Sequence, residues 1–150
     1  AVIISSSGEM TKPLQPAFLA VPSADQNNIA TGSAQTIVFG TEVYDVGANF
    51  ASNTFTAPIT GKYQLSASVY LSVLDTAATY YEASIRTSNR NYHNIIQPKF
   101  SSDPFYWTLP INVLADMDAD DTAYVTIVQY DATQQTDVLT SSFFSGFLAC

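Results

Sequence analysis

Cysteine is nearly absent from this chain, and what there is comes last: Cys150 is the single cysteine and the final residue. No intrachain disulfide and no cysteine-built metal cluster can form, so cysteine usage leaves the redox compartment undetermined. Positive charge is scarce as well. Lys and Arg total 5 against 13 Asp and Glu, a net charge of -8, which argues against nucleic acid or any partner held mainly through phosphates. The 6 glycines are scattered singly, so no phosphate-cradling loop is present. No apolar run approaches the roughly 18 residues of a membrane-spanning helix, and the start, AVIISSSGEM, lacks the basic segment and apolar stretch of a secretion signal. Membrane insertion is therefore not expected. The chain does not begin with Met, as expected of a processed chain or a piece of a longer one.

What is present points to strands. Hydrophobic residues make up 47% of 150 positions and charged ones only 12%, a balance that suits one folded domain rather than disorder. The sharpest periodicity lies in Phe50 to Leu74. From Tyr63 onward Tyr63, Leu65, Ala67, Val69, Leu71 and Val73 alternate with Gln64, Ser66, Ser68, Tyr70 and Ser72, which predicts one long strand with one buried face. Ahead of it PITGK, at 58 to 62, reads as a turn in which Gly61 supplies a positive φ. An extended arm from Asn53 to Ala57 leads into that turn.

Taken in order, residues 1–15 read as a lead-in and PAFLAV, at 16 to 21, as a strand buried on two faces. SADQNNIATGSA, at 23 to 34, is a polar loop, Thr36 to Val43 is extended, and Asp45 to Asn49 is a turn. Further strands are expected at Tyr80 to Arg90, Phe105 to Ala115, Thr122 to Tyr130 and within Ser142 to Cys150. No segment keeps a 3.6-residue repeat. The fold class is therefore all-β, a sandwich or jelly roll. Several strands are apolar on both faces: in one Val125 and Ile127 oppose Tyr124, Val128 and Tyr130, and in the last Phe143 and Phe147 oppose Phe144 and Leu148. A sandwich needs only one such face, so the second must be covered by loops or by another subunit, and the aromatic content favours the subunit.

Catalytic chemistry finds little support. His93 is the only histidine, and no sequence motif sets nucleophile and acid partners beside it. Glu42 with Asp45, and Glu82 with Asp103, are the carboxylate pairs a glycosidase would draw on, but spacing alone does not place either pair across a cleft. The acidic run Asp116, Asp118, Asp120, Asp121 alternates like a calcium loop. Counted from Asp116, however, the sixth position is Asp121 where an EF-hand has Gly, and the twelfth is Ile127 where it has Glu, so that motif is excluded. The other reading is a solvated hairpin turn. The segment Thr87 to Phe105, with Arg90, Tyr92 and His93, is the candidate contact surface for a carbohydrate or protein ligand, since Tyr, Arg and Asn offer stacking and adaptable hydrogen bonds; the competing reading is an irregular surface loop.

The order Phe39, Asp45, Phe50, Phe55, Gly61 and Tyr63 resembles the signature of the complement-component-1q domain, a branch of the tumour-necrosis-factor-like jelly rolls. PAFLA at 16 to 20 looks like its opening strand and FSGFL at 144 to 148 like its closing one. The pattern departs from the animal members in the Phe50 to Phe55 spacing and at Leu65 and Ala67, where aromatics are the rule. The lead-in MTKPLQPAFLA with SNTFTAPITGKYQLSA looks more like versions in phage and other microbial structural proteins.

The resemblance implies a jelly-roll β-sandwich of about ten strands, residues 16–150, assembled as a compact homotrimer. The strands at Tyr63 to Val73, Thr122 to Tyr130 and Phe144 to Ala149 would form the sheet at the threefold axis, with Tyr124, Phe144 and Tyr70 as trimer-interface residues. It further implies a non-enzymatic binding head on a virion or other extracellular surface, at a fibre tip, attaching to a host-surface receptor or glycan. A capsid decoration or bacterial adhesion module is the alternative, and a glycan-cleaving enzyme a third reading. No cofactor and no catalytic residue are expected. Some members of the resembled family bind calcium, and Asp116, Asp118 and Asp120 would be its ligands here.

Overall fold

The computed structural model describes residues 1–150 and contains only strands and their connections, with no helix. In chain order the strands are β1 (Ile3–Ile4), β2 (Met10–Thr11), β3 (Ala17–Val21), β4 (Gln35–Thr36), β5 (Thr41–Val46), β6 (Phe50–Ala51), β7 (Thr54–Thr56), β8 (Gly61–Ser72), β9 (Tyr80–Thr87), β10 (Asn91–Ile96), β11 (Tyr106–Met117), β12 (Thr122–Tyr130), β13 (Asp137–Val138) and β14 (Phe143–Leu148). β8 behaves as its sequence alternation requires. Tyr63, Leu65, Ala67, Val69 and Leu71 are buried while Gln64, Ser66, Ser68 and Tyr70 are only half-buried, the outcome of a period-2 strand with one face on the core.

Two antiparallel sheets face each other. The first runs β11-β8-β14-β3-β5 with β13 added beside β8; the second runs β10-β9-β12-β7-β6 with β4 added beside β12. The paths agree with a jelly roll of about ten strands. Residues 1–11 stand apart as the small β1-β2 hairpin.

The interior is held by the aromatics of the signature. Phe18 stacks on Phe50 at 5.1 Å and on Phe55 at 4.7 Å, meets Phe144 edge-on at 4.9 Å, and Phe55 in turn packs on Tyr63 at 5.5 Å. These contacts join strands of both sheets, so the cluster is the joint between the two layers. Asp45 fixes the turn before β6 by accepting the backbone N–H groups of Asn49 and Phe50 at 3.0 and 2.9 Å, with Gly47 at φ 97°.

Three expectations need correction. Gly61 has no positive φ; a Cβ there would lie 2.6 Å from Leu148 Cδ1 and 2.7 Å from the Cys150 carbonyl oxygen, so glycine serves the close approach of the C-terminal segment. The chain does bend at 58–60, where it crosses from β7 in the second sheet to β8 in the first, while the positive φ values in this region belong to Ser52 and Asn53 in the β6–β7 hairpin. The acidic turn 118–121 is no hairpin within one sheet but the corner where the chain passes from β11 in the first sheet to β12 in the second. Thr122 to Tyr130 therefore does not share a sheet with Tyr63 to Val73 and Phe144 to Ala149: β12 is bonded to β9 and β7. Alternation shows which side of a strand is buried, but the same alternation fits either layer.

The polar loop at 23 to 34 is more ordered than its composition suggests. Ile29 N–H donates to Thr136 O, Gly32 N–H to Gln129 O and Ile37 N–H to Val125 O, and Ile29 and Ile37 are buried in the core. This segment lies along the end of the sandwich that we term the apex. At the opposite end, the base, Ala1 and Cys150 border a common cavity of about 370 Å³.

Candidate binding surfaces

The outward face of the first sheet carries large apolar side chains and little charge. Tyr44, Tyr106, Leu114 and Phe147 are 49%, 54%, 53% and 48% exposed, and Leu19, Val21, Tyr70 and Phe143 beside them are half-buried. In β3, β8, β11 and β14 the only charged residues are Lys62 and Asp116, which sit opposite one another at the basal end. Ser66, Ser68 and Ser145 form the low middle of this face, where β14 pairs with β8. At its apical end Tyr70 packs on Tyr106 at 5.5 Å and Phe105 meets Tyr106 at 4.7 Å. An exposed aromatic surface depleted of charge has the composition of an interface core.

The outward face of the second sheet is built differently. Tyr80, Glu82, Ser84 and Arg86 of β9 lie opposite Tyr130, Val128, Thr126 and Tyr124 of β12, and β10 adds Ile95 and His93. Ser84 Oγ donates to Glu82 Oε1 at 3.0 Å and lies 2.9 Å from His93 Nδ1, while His93 Nδ1 lies 3.2 Å from the same Glu82 oxygen. Arg86 Nε donates to Thr126 Oγ1 at 2.9 Å, and the Tyr80 and Tyr130 rings stack at 5.0 Å. A serine, a histidine and a glutamate thus meet, yet not as a hydrolase relay. Both partners address the same imidazole nitrogen and Ser84 is fully buried, whereas a relay has the nucleophile on one ring nitrogen, the acid on the other and the hydroxyl open to substrate.

The residues singled out in the sequence separate in space. Tyr70 lies on the first sheet's outward face, as a trimer contact there requires. Tyr124 lies on the outward face of the second sheet. Phe144 is fully buried in the aromatic core, so its side chain cannot meet a neighbouring subunit; Phe143 and Phe147 hold the outward positions of that strand. Arg90 sits in the basal turn after β9 and pairs with Asp116 at 2.8 Å. Tyr92 packs against the core, and only His93 of the three contact candidates faces outward from the sheet.

The acidic corner is occupied by internal bonds. Asp116 holds Arg90, and Asp121 accepts the Asp118 N–H at 2.8 Å and Asn89 Nδ2 at 3.0 Å. Within the single chain no three Asp, Glu, His or Cys side chains gather as a metal site, Asp116, Asp118 and Asp120 included. In each glycosidase pair one carboxylate is engaged by internal bonds: Asp45 holds the β5–β6 turn, and Asp103 accepts both the N–H and the hydroxyl of Thr76 at 2.8 and 2.6 Å.

Aspartates also tie the apical loops together. Asp25 accepts the Thr140 N–H, Asp75 that of Gln134, Asp137 that of Asn28, and Asp131 the hydroxyl of Thr79. Hydrogen bonds from the Thr76 hydroxyl, then from its amide, hold the Asp103 carboxyl below its ordinary pKa. Burial raises the Tyr81 phenol, although the oxygen is bonded to the Thr136 hydroxyl and accepts the Asp75 N–H. Sequence spacing concealed these bonds because each joins loops far apart in the chain.

Comparison with known proteins agrees with this architecture. The sequence profile of the C1q domain matches residues 17–149. Among solved structures, the globular domain of zebrafish complement 1qA protein superposes with a TM-score of 0.59 at 14% identity, covering 91% of this chain and 98% of that one. Murine APRIL, in crystals at pH 8.0 and pH 8.5, gives TM-scores of 0.65 and 0.63 at 13% and 12% identity, each over 89% of this chain and 98% of the other. No curated protein matches the sequence.

Proposed function

The chain belongs to the C1q domain family, and from that premise we propose that it is a non-enzymatic binding head that works as a homotrimer. In this reading the head attaches to a receptor on a host surface, as part of a virion fibre or another extracellular stalk. The observation that carries the trimer is the first sheet's outward face, where Tyr44, Tyr106, Leu114 and Phe147 stand exposed and the central strands carry charge only at the basal end, at Lys62 and Asp116. A closed ring in which each copy offers the same surfaces removes those side chains from water, as cyclic symmetry allows. A surface whose middle is free of charge suits an interface core, where desolvating a charge is costly.

Three heads on one axis would engage three receptor copies at once, so weak single contacts become tight attachment through effective concentration. Both termini at the base suit presentation on a stalk, and the lead-in's likeness to phage and microbial structural proteins favours the virion setting. The test is the mass in solution of the wild-type chain and of Phe147→Asp. The reading expects a trimer for the first and a monomer of unchanged secondary structure for the second; a monomeric wild type would overturn it.

A further inference from the structure

The geometry points to a glycan-binding site on the outward face of the second sheet, formed by Tyr80, Glu82, Arg86, His93, Tyr124 and Tyr130, with a short neutral oligosaccharide as its ligand. This names the receptor chemistry of the proposed binding head and rests on that reading. The first argument is preorganisation. Buried Ser84 bonds to both Glu82 and His93, and Thr126 holds Arg86 through Nε, so the polar groups are fixed before a ligand arrives and less ordering entropy is lost on binding.

The second argument is what these bonds leave open. Glu82 Oε2, His93 Nε2 and the two Arg86 Nη groups make no hydrogen bond within the chain, nor does the Tyr124 hydroxyl. They offer acceptors and donors side by side, which is what sugar hydroxyls, each both donor and acceptor, require. Charge is complementary to a neutral ligand: Glu82 and Arg86 offset one another locally, while the chain's net charge of -8 disfavours a polyanion. The third argument is shape. Tyr130 and Tyr124 lie on one face of β12, roughly 20 Å apart along an extended strand, so aromatic rings bound the polar row at both ends. A protein partner would look for a contiguous apolar centre; here Ile95 is the one exposed aliphatic side chain between the tyrosines, and the apolar surface lies on the opposite sheet.

The experiment is calorimetric titration and amide-detected NMR of the intact chain with short maltose-, cellulose-, chitin- and lactosamine-type oligosaccharides, alongside sialylated and sulfated ones. At least one neutral class is expected to bind and to shift Arg86, His93 and Tyr124. Glu82→Gln and His93→Ala, each checked for unchanged melting, should weaken that binding by about tenfold or more, as loss of a charge-assisted hydrogen bond does. Absence of binding to every neutral class overturns the inference, as does binding confined to the sialylated or sulfated probes, or binding that both variants retain. Phe147→Asp separates the two readings. A monomeric Phe147→Asp that keeps the per-site affinity supports both; if it remains oligomeric while neutral glycan still binds, the trimer reading falls and the glycan site stands.

Discussion

The two outward faces of this sandwich are made from strands of similar alternation, yet they have opposite surface chemistry. On the first sheet the outward positions of β3, β8, β11 and β14 carry aromatic and aliphatic side chains around a low centre of serines, with the uncharged Gln64, Thr108 and Asn112 among them, and charge in these four strands is confined to Lys62 and Asp116 at one end. On the second, Glu82, Arg86 and His93 stand in mid-sheet and are held by Ser84 and Thr126. Both faces cover the same interior, so packing within the chain cannot be the cause of the contrast. A face of the first kind gains by leaving water, and one of the second kind gains by meeting a polar ligand.

The largest effect comes from removing the joint that both faces share. Phe18→Ala would open a cavity amid Phe50, Phe55 and Phe144 and should cost about 3–5 kcal/mol, read as a lower denaturation midpoint with the oligomer lost only because the fold is lost. Substituting one face at a time sharpens the contrast. Phe147→Asp should dissociate the assembly while leaving monomer stability nearly unchanged, whereas Tyr124→Asp, on the other face, should leave the assembly intact; sedimentation velocity distinguishes them. Phe144→Asp is no test of the interface, because it buries a charge in the core.

Acid should loosen the Thr76–Asp103 link at the apex. Because the folded pKa of Asp103 is depressed, its stabilisation is present above the ordinary carboxylate range and is lost as pH falls through the folded value, below about pH 4. Hydrogen exchange at Thr76 should accelerate there, and Asp103→Asn should remove that dependence. Tyr81 has the opposite sign: its raised pKa gives a contribution intact below about pH 10 and lost as pH rises through the folded value. The smallest effect is at the base, where both partners of the Arg90–Asp116 ion pair are more than half exposed; Arg90→Ala should change thermal stability by about 1 kcal/mol or less.

Much of the fold could be read from the chain because alternation is a local property. β8 and β12 follow directly from it, and Phe50, Phe55 and Tyr63 prove to be core residues packed on or beside Phe18. The binding surfaces were legible only in part. The doubly apolar last strand pointed to apolar side chains on the outward side, where Phe147 stands exposed, yet choosing Phe147 over Phe144 required knowing which side of β14 meets Phe18. Gly146 carried that signal: a Cβ there would lie 2.8 Å from Phe18 and 2.7 Å from Leu65, which marks positions 144, 146 and 148 as the inward side. Tyr124 was misplaced because a strand's pattern does not say which layer it joins. The Glu82–Ser84–His93 cluster was invisible because it depends on the β9–β10 register that sets His93 opposite Ser84.

Light scattering on the reduced protein at low micromolar concentration addresses the central claim most directly, with Tyr124→Asp and Phe147→Asp measured beside it. The account predicts three times the 16.2 kDa chain mass for the wild type and Tyr124→Asp, and the single-chain mass for Phe147→Asp. A monomeric wild type, or a Phe147→Asp that keeps the trimer mass, would contradict the assignment of the first sheet's outward face to self-association.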